Sequence, residues 1–540
     1  MPPGGGSIAN TIVVANDSIS PFATVLKRLY FAATDGIHGV ELWKTDGTEQ
    51  GTVMVKDINP NDPLAVYADE MVNLGGKVLF SADDGEHGFE LWRSDGTENG
   101  TVLVKDIHPV PGESGFPTDR VELNGVQFFS ATDNVNGSEL WRSDETDAGT
   151  VIVKDIAPGL FGSFPYSLRV SGDWLFFIAN DGVNGAALWR SDGTGDGTVV
   201  VKDVQPINEE DFYCELVSSG GLRYFRADAG DGHKLWRSDG TPEGTFAIHT
   251  ITPTPNLFVP VLLTDVEGTP YFTQGHELWK SDGAEQGTTL VKDLDILPIP
   301  RSNPASTASY NGQLYFIAVD NQMELWRSDG TETGTVAVKQ FGADSAPPHV
   351  TIIGQGGGTL FLSVAVNDGY QLWRSHGTSE STTAIPNLFL SAVGPLVSMG
   401  SDVFLAAVTK QEGRELWTAP LLPAISSGGV VDAAGFQPTL APGSLASLFG
   451  VELSTTTEAA QSQPLPTSLA GARIQVNGAD APLLFVSPKQ INFQVPFETV
   501  AGTVSVVVIL GEQQSPAEST TIAEFAPSLF VKPETGEPVV

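Results

Sequence analysis

The chain has 540 residues, with 28 lysines and arginines against 65 aspartates and glutamates, a formal net charge of −37. That length exceeds one ordinary hydrophobic core, so several domains or a closed repeat ring with an appendage are expected. The charge disfavours nucleic acid and anionic membrane surfaces, and leaves cations, neutral sugars and basic proteins as compatible partners.

The chain opens MPPGGGSIANTIVV, with neither the basic nor the apolar region of a secretory signal. Residues 1–9 read as disordered. The next segment, Asn10-Thr11-Ile12-Val13-Val14-Ala15-Asn16, aligns with Gly51-Thr52-Val53-Met54-Val55-Lys56-Asp57, although no ELW precedes it. Between residues 10 and 422 one phrase then recurs nine times, most fully as ELWRSDGTxxGTxxVKD, each copy with a tryptophan at the same place. Those tryptophans are Trp43, Trp92, Trp141, Trp189, Trp236, Trp279, Trp326, Trp373 and Trp417, spaced by 43 to 49 residues. A period of that length, built from short strands and turn glycines without a 3.6-residue apolar rhythm, signals a β-propeller.

Residues 71–107 serve as the type unit. Strands are expected at Met71–Leu74, Val78–Ala82, Phe89–Arg93 and Thr101–Asp106, joined by connectors whose glycines supply positive φ. The tryptophan on each third strand is assigned to packing between sheets, and the flanking Glu and Arg/Lys to scaffolding, because a pair repeated in every unit marks no unique site. The ninth unit lacks the GTxxVKD strand after Trp417, so residues 10–16 are expected to pair with Glu415–Thr418 and close the ring. This gives nine four-stranded blades, with eight as the alternative.

Chemistry-bearing patterns are sparse. The eight histidines form no HxxxH or HxH pair, and no GxSxG elbow or P-loop occurs. Cys214 is the single cysteine, which excludes an intramolecular disulfide, and it reads as a buried small hydrophobe. Calcium is the stronger metal candidate, at Asp83-Asp84-Gly85 and Asp181-Gly182, yet solvated hairpin loops explain these residues as well, and no cofactor is expected. The fifth unit departs most from the repeat, at Arg223, Tyr224, Arg226, His233, Lys234 and His249. The second-strand starts Leu29, Val78, Gln127, Leu175, Leu314 and Leu360 are expected to line or approach the inner ring without gathering ionisable groups. No run reaches the ~18 apolar residues of a membrane helix.

From residue 423 to 540 the period stops, and strands at Ala472–Val476, Leu483–Val486 and Thr503–Leu510 read as an immunoglobulin-like β-sandwich.

The phrase at residues 90–107, ELWRSDGTENGTVLVKDI, resembles the bacterial ELWxxDGT repeat family, and the likeness covers about 400 residues. That resemblance implies a large secreted or cell-surface protein with no assigned activity. The set Ala82, Asp84, Gly88 and Trp92, repeated in the other early units, looks like the tryptophan-docking motif of quinoprotein dehydrogenases, a blade fastener that implies no cofactor. The segments Val430–Gly450 and Ala481–Pro496 resemble a C-terminal domain of secreted acidobacterial proteins, which in that family continues further. With the missing signal, this implies a chain cut at one or both ends.

The leading expectation is a non-enzymatic surface or secreted scaffold that binds a glycan, a matrix component or a protein through loops on one face. The alternatives are a propeller enzyme, either a quinoprotein-like oxidoreductase or a glycan lyase or hydrolase, and a structural spacer. An enzyme needs an asymmetric polar cluster at the central channel.

Overall fold

The computed structural model describes residues 13–14 and 22–527, less 205–215, 252–263, 299–306, 343–348 and several gaps of one to four residues. Among the described residues every regular element is a strand. Up to Thr418 the strands form nine antiparallel sheets following one another along the chain, which are the nine blades. In blade 2 the strands are Val66–Leu74, Lys77–Ala82, Glu90–Ser94 and Val102–Lys105, paired in chain order. The first begins before the expected Met71 because a bulge between Tyr67 and Val72 lets it continue along its neighbour to Ala82.

A blade is buried on both faces, so consecutive residues on a strand must each find a core. Leu91 packs forward against Phe129 and Trp141 of blade 3. Trp92 packs backward against Leu42 and Val55 of blade 1. The third and fourth strands slip register at this Leu–Trp step in blades 1 to 7, as at Leu91/Trp92 and Leu188/Trp189. Each interface repeats the arrangement. The cycle closes where Met399, Phe404 and Leu416 of blade 9 pack with Phe22, Phe31 and Trp43 of blade 1.

The N-terminal strand meets this seam differently from the expectation. Val13–Val14 pairs antiparallel with Thr34 and Ala33 on the second strand of blade 1, extending the edge that Phe22–Val25 occupies. It also runs beside Gly413–Thr418, but no ladder to that strand is formed by these two residues, and 10–12 and 15–16 lie outside the described residues. The ninth sheet accordingly has three strands among the described residues. The same short β-branched run can serve either edge of the seam, and here its two described residues form a fifth strand on the first blade.

From Ala424 to Ile522 the strands form two sheets around one core containing Leu448, Ile474, Leu483, Phe493, Val506 and Val508. Ala472–Val476 and Leu483–Val486 fall where expected, and Gly502–Leu510 begins one residue early. This is a β-sandwich.

Candidate functional site

Strand direction divides the ring into two ends. Connections between first and second strands, and between third and fourth, emerge at one end; second-to-third loops and the connectors to the next blade emerge at the other.

At the first end the recurring phrase accounts for nearly all of its own polar residues. Asp95 Oδ1 accepts from the amide and hydroxyl of Thr97 at 2.9 and 2.7 Å, and Thr97 Oγ1 accepts from the Gly100 amide at 3.0 Å. The Thr97 hydrogen bonds hold the Asp95 carboxyl below its ordinary range. Ser94 and Thr101 share a buried hydroxyl contact of 2.7 Å, and Ser94 also accepts from Gly96 N. Gly96 has φ of 85°, and any side chain there would strike Tyr30 of blade 1.

In several units the basic residue after the tryptophan is a clasp to the next blade. Lys44 donates to Gly96 O, Arg142 to Gly193 O, Arg190 to Gly240 O and Lys280 to Gly330 O, at 2.6 to 2.9 Å. Fourth-strand lysines do the same. Lys56 donates to Thr101 O at 2.9 Å while its ammonium sits 5.5 Å from the Trp92 ring centre.

At the second end an aspartate knits the loop in each of blades 1 to 4. Asp35 accepts from the amides of Ile37 and His38 and from His38 Nδ1 at 2.8 Å, and Asp84 does likewise with Glu86 and His87. The hydrogen bonds to these carboxylates raise His38 and His87 above the usual imidazole value. Behind the loops, Glu41, Glu90 and Glu139 are buried, and their carboxylates accept from connector amides such as Ile58 N at 3.0 Å and Ile107 N at 2.9 Å. Burial pushes Glu41 and Glu90 up to about 7, against the lowering effect of those amides. An open depression of about 410 Å³, lined by Thr34, Ile37, His38, Gly39, Pro60 and Asn61, lies between the loop of blade 1 and its connector.

The same end carries exposed apolar side chains. Ile37, Val135 and Val183, at matching loop positions, are 81%, 65% and 84% exposed, and the connectors add Phe116, Leu160, Phe161 at 85% and Phe164. These connectors are ordered by backbone bonds: Phe116 N donates to Phe89 O, and Phe164 N to Ser138 O, both at 3.1 Å. Phe116 and Phe164 hold left-handed backbone, with φ of 43° and 47°, an unfavourable state for a bulky residue.

The tryptophans chosen from sequence all lie on third strands. Trp43, Trp92, Trp141, Trp189 and Trp236 are buried, whereas Trp279, Trp326, Trp373 and Trp417 are half-buried. Their indole N–H groups divide too: Trp279 and Trp326 donate to Glu277 and Glu324 at 2.9 Å, and Trp189 donates to Ala179 O.

The fifth-unit residues do not converge. Arg223 and Tyr224 are buried between blades, with the Arg223 guanidinium over Phe176. His249 occupies the position of the fourth-strand lysine, 4.5 Å from the Trp279 ring centre and 3.0 Å from Gln274. Arg226, His233 and Lys234 lie on the second and third strands of that blade. Cys214 lies outside the described residues.

The second-strand starts Leu29, Val78, Gln127, Leu175, Leu314 and Leu360 are all buried, and the leucines and Val78 belong to cores between blades. They are core and do not line an open channel. Among the described residues no group of three or more His, Cys, Asp or Glu is placed to hold a metal. Asp83 Oδ1, Asp84 Oδ1 and Asp181 Oδ1 are engaged by amides of their own loops.

Sequence reasoning missed the exposed connectors. Its one available signal was phenylalanine before proline in GESGFP and GLFGSFP, within runs rich in glycine and proline.

The family described as outer membrane protein assembly factor BamB matches residues 127–342. No curated protein sequence matches the chain. Among solved structures, the computationally designed Ika8 protein aligns over 76% of this chain and 99% of its own at 13% identity, with a TM-score of 0.39. A puromycin-hydrolysing peptidase of Mycobacterium tuberculosis aligns over 78% of this chain and 63% of its own at 12% identity, with a TM-score of 0.37. For a prolyl endopeptidase the shares are 63% and 55%, at 12% identity and a TM-score of 0.35. This chain thus spans under two thirds of either peptidase. Among the described residues no helix is long and apolar enough to cross a membrane.

Proposed function

We propose that the protein is a non-enzymatic, secreted or cell-surface scaffold of ELWxxDGT type that binds a glycan, matrix component or protein through propeller loops, with no cofactor, and that its terminal sandwich is immunoglobulin-like. One observation carries the reading. The recurring polar residues are spent on turns and on clasps between blades, while the second-to-third loops present ordered, exposed apolar side chains. The BamB description of the matched family, an assembly factor, favours a protein among these ligands.

The test is a binding screen of the full chain against glycans and envelope or matrix proteins, run beside peptidase, glycan-lyase and quinone-linked dehydrogenase assays. Saturable binding without turnover is expected. Turnover that survives repurification and is lost on mutation of the ring would overturn the reading in favour of a propeller enzyme.

A further inference from the structure

We infer that the loop end of blades 1 to 4 is a docking surface for a protein segment that carries lysine or arginine among apolar side chains. This rests on the scaffold reading and narrows it to one surface and one partner chemistry.

The surface is continuous within each of blades 1 to 3. Ile37 and Pro60 line the same depression. The Phe89 and Phe116 rings stack with centres 6.0 Å apart. The loop of blade 3 presses so closely on its connector that a Cβ on Gly137 would stand 2.5 Å from the Phe161 carbonyl carbon. Exposed apolar groups held by ordered backbone lose little freedom on binding, which is the property of an interaction surface rather than of a loose loop. The left-handed backbone at Phe116 and Phe164 points the same way: a strained conformation is kept at two corresponding connectors, and in both the side chain it presents is exposed.

Charge selects the partner. Segments 34–40, 57–65, 83–89, 106–117, 132–138, 155–165 and 180–185 contain eleven aspartates and glutamates and no lysine or arginine. The cations of the repeat are drawn to the opposite end, where Lys44, Arg142 and Arg190 bond the next blade's turn. An anionic lipid surface is therefore repelled, and a cationic segment is steered in. A glycan fits less well: Asp35, Asp84, Asp133 and Asp181 already accept amides of their own loops, and what the surface offers outward is largely aliphatic and phenyl.

The experiment uses the full chain and three short peptides: alternating lysine and leucine, the same with glutamate for lysine, and lysine alone. Binding is read by fluorescence anisotropy at low and high salt, with neutral oligosaccharides as a further arm. The lysine–leucine peptide should bind best, more weakly at high salt, and L160S/F161S should weaken it roughly tenfold or more. Leu26→Ser, at an exposed leucine on the opposite end, should leave it unchanged and controls for folding. Equal binding of the glutamate peptide, no peptide binding, or insensitivity to L160S/F161S overturns the inference. If an oligosaccharide binds instead, the scaffold reading stands and this inference fails; if nothing binds and a substrate is turned over, both fail.

Discussion

Gly100→Ser probes how the repeat turn is built. Gly100 is not in the left-handed region, so its backbone accepts a side chain, but a Cβ there would lie 2.1 Å from Asp95 Oδ1 and 2.2 Å from Cγ. Asp95 must swing away and forfeit its two bonds to Thr97, of 2.9 and 2.7 Å. At the low end of about 0.5–1.5 kcal/mol per bond, because the turn is exposed, the loss is about 1–2 kcal/mol. Blade 8 shows how the conflict is relieved: His376 stands where the other turns have aspartate, Ser381 stands where they have glycine, and Ser381 Oγ takes the amides of His376 and Thr378 at 3.2 and 3.1 Å. The double variant D95H/G100S should therefore lose less than the two single changes together, with a coupling of about 1 kcal/mol. Urea unfolding followed by tryptophan emission reads this cleanly, since every tryptophan of the chain lies at or before Trp417 and reports the ring. Strict additivity of the two substitutions would refute the proposed exchange of roles.

Trp92→Ala should destabilise the ring by about 3–5 kcal/mol, and Trp326→Ala, half-buried, by less; calorimetry showing the reverse order contradicts the packing account. Arg142→Met should cost about 0.5–1.5 kcal/mol through the lost bond to Gly193 O, seen as a lowered urea midpoint. Because folding raises Glu41 and Glu90 to about 7, the folded state keeps protons that the unfolded chain releases, so their contribution is full below the ordinary carboxyl value and is lost as pH rises to about 7. His38 and His87, also raised, act in the same direction, and E41Q/E90Q should flatten the fall in stability from about pH 5 to about pH 8.

The ring was legible because its phrase is a structural sentence: Trp92 and Leu91 serve opposite cores, Gly96 needs positive φ, and Asp95, Thr97 and Thr101 bond locally, so the repeat had to recur wherever the blade did. Val13–Val14 was harder to place, since two valines satisfy the edge of blade 1 or of blade 9 equally and only the seam geometry selects one. The docking surface was hidden for a related reason. Leu160, Phe161 and Phe164 read as core by composition, and only the bonds that fold the connector back onto Ser138 leave them facing outward. The divergence of the fifth blade has a structural reading, because Arg223 and His249 are absorbed by aromatic contacts with adjoining blades.

Hydrogen exchange of the full chain, with and without the ligand selected by the binding screen, tests the functional account most directly. Slowed exchange at residues 108–117, 134–138 and 158–165 is the predicted result. Protection confined to the opposite turns at 46–51 and 95–100, or at the inner strands together with substrate turnover, would contradict it.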